Sequence, residues 1–136
     1  MSQRSSCPER IELRCGPVSA VDLALFAAAS GDHNPLHLDP EVARAAGFDR
    51  PLVHGMLTMA YTARLFTDHF GAGRVRAIRT RFTGVAMCGD AIVIRATLTG
   101  IDGSVATYDV QALTERGTDV AAGECRVSWL ASGGIK

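Results

Sequence analysis

Lysine is almost missing from this 136-residue chain: Lys136 is the only one, and every other basic side chain apart from histidine is an arginine. Neither sign of charge is in excess, with 14 basic residues against 14 acidic ones. That balance speaks against nucleic acid or an anionic membrane as an obligate partner. No apolar run approaches the roughly 20 residues of a membrane span, so membrane insertion is not expected. The first residues show no charged-then-apolar leader. The four cysteines, Cys7, Cys15, Cys88 and Cys125, have no C-x-x-C spacing. Reduced, buried thiols are therefore expected rather than disulfides or a zinc site, and with them a cytoplasmic protein. Repeats and linkers are missing too. One domain is expected over residues 10–131, between a flexible N-terminal tail at 1–9 and a C-terminal tail at 132–136. What the chain does have is apolar content, 47% of residues, which supports a real core.

The most constrained stretch is Ser30-Gly31-Asp32-His33-Asn34-Pro35-Leu36-His37. Pro35 has no N–H and keeps Asn34 out of the helical region, so Asp32 and His37 sit on a shaped loop. Gly31 and Asn34 are residue types that accept unusual backbone angles and local side-chain bonds. Such a loop can aim a carboxylate and an imidazole at one small volume, which makes it a candidate proton-transfer site. An Asp that caps and a His that merely satisfies a hydrogen bond is the competing structural reading. His33, His37 and Asp39 have the residue types of a metal site. The i, i+4 histidine spacing needs a helix, however, and Pro35 forbids one.

Arg10 to Arg14 alternates as a half-buried strand does. Ser19 and Asp22 have the spacing of a capping box for a helix over 21–29, whose run of Leu, Ala and Phe suggests burial on most sides. Asp39-Pro40-Glu41 reads as the start of a short helix that ends near Gly47. A longer helix is expected from Met56 to Phe70, uncharged all round in its first half and so buried there. Four strands follow: 75–85 with Ile78, Thr80 and Phe82 on one face, then runs centred on Ile92–Leu98, Tyr108–Ala112 and Cys125–Trp129. This order predicts an α+β layer structure, the hotdog fold, in which a curved antiparallel sheet wraps one long helix. A small sheet of this kind leaves an edge strand and a bare face. A homodimer or higher homo-oligomer is expected to cover them, and a heterodimer fits as well.

His54-Gly55 opens the long helix, where unpaired N–H groups and partial positive charge collect. Gly55 would admit a substrate oxygen to its backbone N–H, as an oxyanion hole requires. A glycine needed only for a tight entry into the helix is the equal alternative.

Ser30-Gly31-Asp32-x-Asn34-Pro35-Leu36-His37, with Ala43 six positions on, resembles the hydratase signature of the MaoC-like family of (R)-specific enoyl-thioester hydratases and dehydratases. Arg50-Pro51-Leu52-Val53-His54-Gly55-Met56 resembles that family's second landmark, and Arg81-Phe82 with Gly89-Asp90 a weaker third. The resemblance implies that Asp32 and His37 hold one water and move protons at the α and β carbons of an acyl thioester. It implies too that the Gly55 N–H polarises the thioester carbonyl and that Asn34 fixes the loop. The substrate would be an acyl-CoA or acyl-carrier-protein thioester, with no metal or nucleotide cofactor. Asn34 and His54 join the substrate-binding candidates, as do Met56, Met59, Ala60 and Tyr61, placed along an acyl tunnel beside the long helix. Plain core is the alternative for each tunnel residue. Ala63 stands where several hydratases of the family carry a serine that overlooks the site, and Val85 stands where the third landmark has a proline. Arg74, Arg76, Arg79 and Arg81 could meet the carrier's phosphates or form a solvated strand face. A hotdog thioesterase would carry its acid on the long helix, whose first half has none. A non-catalytic, pocket-shaping subunit of a heterodimer would have no need for both Asp32 and His37.

Overall fold

The computed structural model describes residues 7–129. Residues 1–6 of the expected N-terminal tail, the last two residues of the expected domain and the whole C-terminal tail, 132–136, lie outside the described residues. The elements are β1 (Arg10–Cys15), α1 (Ala20–Ser30), a 3-10 turn (Pro35–His37), α2 (Pro40–Ala45) and α3 (Gly55–Phe70). After them come β2 (Val75–Phe82), β3 (Ile92–Asp102), β4 (Val105–Thr114) and β5 (Asp119–Ser128). No described helix is long and apolar enough to cross a membrane.

Local chemistry sets the helix ends. Ser19 Oγ accepts the Asp22 N–H at 3.0 Å and Asp22 Oδ2 accepts the Ser19 N–H at 2.9 Å, completing the capping box of α1. Asp39 Oδ1 accepts the Glu41 N–H at 2.9 Å and Pro40 takes the first position of α2.

The strands form one antiparallel sheet in the order β1-β3-β4-β5-β2. α3 packs against every strand of it. Ile92, Ile94, Ala96, Tyr108, Val110, Ala112, Cys125 and Val127 share one core with Leu57, Leu65 and Phe66 of the helix. Burial of each large side chain there contributes about 1.5–3 kcal/mol. This is the expected hotdog arrangement.

Four expectations need correction. α1 buries only Leu23 and Ala27, while Val21 and Leu25 are 65% and 64% exposed. α1 packs on the Pro35–His37 turn and, through Phe26, on His54, so one side is covered, and an alanine-rich composition does not say which. For the same reason the first half of α3 is buried on one face only. Leu57, Thr58 and Thr62 point inward, whereas Met56 is 56% exposed and Ala60 is exposed. β2 stops at Phe82, short of the expected Val85, and Phe82 at its end is 45% exposed. Cys7 to Glu9, expected in the tail, are tied to the sheet. The Tyr108 hydroxyl donates to Pro8 O at 2.5 Å, and the Leu98 N–H donates to Glu9 O at 2.8 Å.

Candidate active site

Gly31 ends α1 with φ of 81°, a left-handed turn that glycine adopts without strain, and its N–H closes on Ala27 O at 2.9 Å. The chain then folds on its own side chains. Ser30 Oγ accepts the Asp32 N–H, Asp32 Oδ1 the Asn34 N–H and Asn34 Oδ1 the Leu36 N–H, at 3.1, 3.3 and 3.0 Å. Asn34 is extended ahead of Pro35, and the 3-10 turn delivers His37 back toward Asp32. Asn34 therefore braces the loop.

His37 Nε2 lies 3.6 Å from Asp32 Oδ2. That separation exceeds a direct hydrogen bond and suits a shared water. On the ring's other side Nδ1 is 2.9 Å from Leu52 O. A carbonyl only accepts, so Nδ1 carries the proton and Nε2 presents its lone pair to the carboxylate side. The Leu52 N–H donates in turn to Leu36 O at 2.9 Å, so both backbone groups of Leu52 serve this turn. The Asp32 side chain is 48% exposed and that of His37 only 14%.

His54 lies behind the pair rather than on the surface of the site. It is 1% exposed. Its ring stacks on His37 with centroids 3.8 Å apart at 19°, and Phe26 meets it edge-on at 4.8 Å. Nε2 is 3.2 Å from Asp32 O, while Nδ1 is a buried side-chain atom with no partner among the described residues. Burial pushes the imidazole below its ordinary pKa, outweighing the Asp32 carbonyl.

Gly55 begins α3 directly after His54. The Leu57 and Thr58 N–H groups bond to His54 O, so the helix presents its positive end here. A Cβ on Gly55 would come within 3.1–3.3 Å of the Phe82 ring. The Phe82 ring thus fills the space that glycine leaves.

A cleft of about 350 Å³ has His37 in its wall, together with α1 (Leu23, Ala24), Leu38, Pro51 and Cys88. No residue of α3 lines it. Met56 and Ala60, expected along a tunnel, lie on the exposed side of α3. Met59, Tyr61 and Ala63 are half-buried.

The metal-type group His33, His37 and Asp39 does not form. His33 is exposed and Asp39 is spent as the cap of α2. Asp32, His37 and His54 do bring ligand-type atoms within 4.8 Å of one another. Two stacked imidazoles, however, send their lone pairs out in near-parallel planes. An ion about 2 Å from one nitrogen would stand off the other ring's plane.

Three contributors were not read from the sequence: Leu52 O, Phe26 and Phe82. A backbone carbonyl leaves no trace in sequence. The second and third landmarks meet in space: Arg50 Nη1 donates to Cys88 O at 2.6 Å, and Arg50 Nη2 lies 3.6 Å from Asp90 Oδ1. Asp90 is 7% exposed and also receives Arg116 at 3.1 Å and the Met87 N–H at 2.9 Å. The pairing holds segment 86–90 beside 51–54, where Val53 N–H reaches Ala86 O at 2.8 Å. Of the arginines considered for phosphate, Arg79 pairs with Glu124 across the strands at 3.3 Å.

Residues 9–120 match the family model described as MaoC like domain. The chain is 34% identical over 112 residues to the (R)-specific enoyl-CoA hydratase of Aeromonas caviae, covering 79% of this chain and 84% of that one. It is 33% identical over 112 residues to the peroxisomal enoyl-CoA hydratase 2 of Arabidopsis thaliana, covering 80% of this chain. The chain spans between 8% and 35% of the length of that relative and three other curated ones. The solved (R)-hydratase from A. caviae superposes with a TM-score of 0.83 at 30% identity, over 91% of this chain and 98% of that one.

Proposed function

The chain belongs to the MaoC-like domain family, and from that premise we propose that it interconverts trans-2-enoyl and (3R)-3-hydroxyacyl thioesters by adding or removing water. The observation that carries this reading is the facing pair His37 Nε2 and Asp32 Oδ2, 3.6 Å apart. A water between them meets a lone pair on each side. In the hydration direction the pair takes one proton from that water as its oxygen bonds to C3 and the π electrons move toward the thioester carbonyl. The Gly55 N–H, at the positive end of α3, stabilises the enolate-like charge. One proton then returns from the pair to C2, and the enzyme is left as it began. The chemistry calls for no metal or nucleotide, and the acyl-CoA or acyl-carrier-protein thioester is the substrate.

We infer also that the protein acts as a homo-oligomer, with a heterodimer as the alternative. Val21 and Leu25 on α1, Met56 at the start of α3 and Phe82 over Gly55 are large apolar side chains left exposed. The four cysteines are free, which suits the reducing cytosol.

Hydration of crotonyl-CoA, followed by loss of its absorbance, tests the reaction. The wild type should be active, and Asp32→Asn and His37→Ala should each lower kcat by about 10²–10⁴-fold. Both variants running at the wild-type rate would sink the assignment. Thiol release without hydration would make the protein a thioesterase. Activity only in the presence of a second hotdog chain would make it a subunit of a heterodimeric dehydratase.

A further inference from the structure

Resting on the reaction just proposed, His54 deepens it. This side chain is buried more completely than Asp32 or His37 and touches both. Its Nε2 faces the carbonyl of Asp32 at 3.2 Å, and a carbonyl accepts only, so the proton sits on Nε2. Nδ1 then keeps its lone pair in a buried position with no partner among the described residues. A second proton there would leave a charged N–H with nothing to receive it, so the ring stays neutral. The titratable groups facing the ring are Asp32 and His37, and the Phe26 ring of α1 closes another side without charge.

We propose that His54 is the positioning residue of this site, holding Asp32, His37 and Gly55 in one frame through its ring, its Nε2–H and its own main chain. The ring face carries the His37 imidazole at 3.8 Å. The Nε2–H pins the main chain of Asp32, fixing where its carboxylate begins. The peptide bond that follows His54 contains the Gly55 amide. A neutral slab under His37 also leaves that imidazole free to gain a proton in the reaction. A charged neighbour at the same distance would oppose the gain. Substrate contact, the role first expected of His54, does not fit a side chain that is 1% exposed.

Two variants separate its two contacts. His54→Phe keeps the slab and loses the donor, whereas His54→Gln keeps an N–H donor of similar reach and loses the slab. Each should lower kcat on crotonyl-CoA about 10- to 100-fold, as a small misplacement of reacting groups does. KM should stay within about twofold, and the imidazole titration of His37, read by ¹H–¹⁵N NMR, should move in both. A raised KM at unchanged kcat, or wild-type kcat with an unmoved His37 titration in both, overturns the proposal. The wild-type protein gives a reading that needs no variant to fold. The ¹⁵N shifts of His54 should report an Nε2–H tautomer that does not protonate between about pH 6 and 8. A His54 that titrates in that range also overturns it. If the wild type leaves crotonyl-CoA untouched, the proposed reaction fails, while the NMR reading still decides the arrangement of His54.

Discussion

Leu52 O receives His37 Nδ1–H at 2.9 Å, and this one bond decides which nitrogen faces Asp32. An asparagine at position 37 can keep that bond, because its amide nitrogen stands where Nδ1 does, yet it lacks anything at Nε2. His37→Asn should therefore hold stability within about 1 kcal/mol, the net worth of one retained or altered hydrogen bond. Hydration should still fall by about 10²–10⁴-fold. Urea unfolding beside the crotonyl-CoA assay checks both halves. A stable variant with wild-type turnover would remove Nε2 from the chemistry.

Gly55→Ala sets a second test. The added Cβ would meet the Phe82 ring at 3.1–3.3 Å, tight enough that the neighbour must give. Phe82 is 45% exposed and has solvent to move into, so stability should change by no more than about 1 kcal/mol. Turnover should drop about 10- to 100-fold, because the methyl and the ring it displaces crowd the approach to the Gly55 N–H. Adding Phe82→Leu relieves the contact with the ring without removing the methyl. Restored activity in the double variant would mean that Gly55 serves packing alone.

The parts of the site that were readable in the sequence are those built by near neighbours. Gly31, Asn34 and Pro35 shape the loop through contacts within a few residues, and the Ser19–Asp22 box is just as local. Burial of His54 was not readable, since it depends on Phe26 and His37 arriving from other elements. The outward faces of α1 and α3 leave no mark in the sequence for a related reason. An apolar helix reports that it can be covered, and not how many of its sides the rest of the chain reaches. Phe82 continues the strand alternation in sequence yet turns out to lie over a glycine 27 positions earlier (82 minus 55), a contact no local pattern signals.

Asp90 joins two landmarks that are distant along the chain. Its carboxylate is 7% exposed and accepts the Met87 N–H and the Arg116 guanidinium, with Arg50 at 3.6 Å. Asp90→Ala strands the Met87 N–H, frees Arg116 and leaves Arg50 with its bond to Cys88 O. The arginine side chains are 42% and 58% exposed and rehydrate readily, so the loss should be about 1–3 kcal/mol rather than that of a fully buried pair. Chemical denaturation measures it. Because segment 86–90 lies against 51–54, turnover should fall as well, and unaltered stability would show that the buried carboxylate holds nothing.

The buried imidazole of His54 makes stability depend on pH with a definite sign. Burial lowers its pKa in the folded protein from the ordinary value of 6.5. The unfolded chain therefore binds the proton more readily than the fold does. The contribution is fully present above pH 6.5 and is lost as the pH falls below it toward the lowered folded value. Urea midpoints measured from about pH 7.5 down to 5.5 should decline in the wild type, within the usual range of histidine titration. His54→Gln has no proton to bind there, so its midpoint should decline less over the same interval. Equal slopes in the two proteins would mean that the acid loss comes from other groups, and that His54 is hydrated in the folded state.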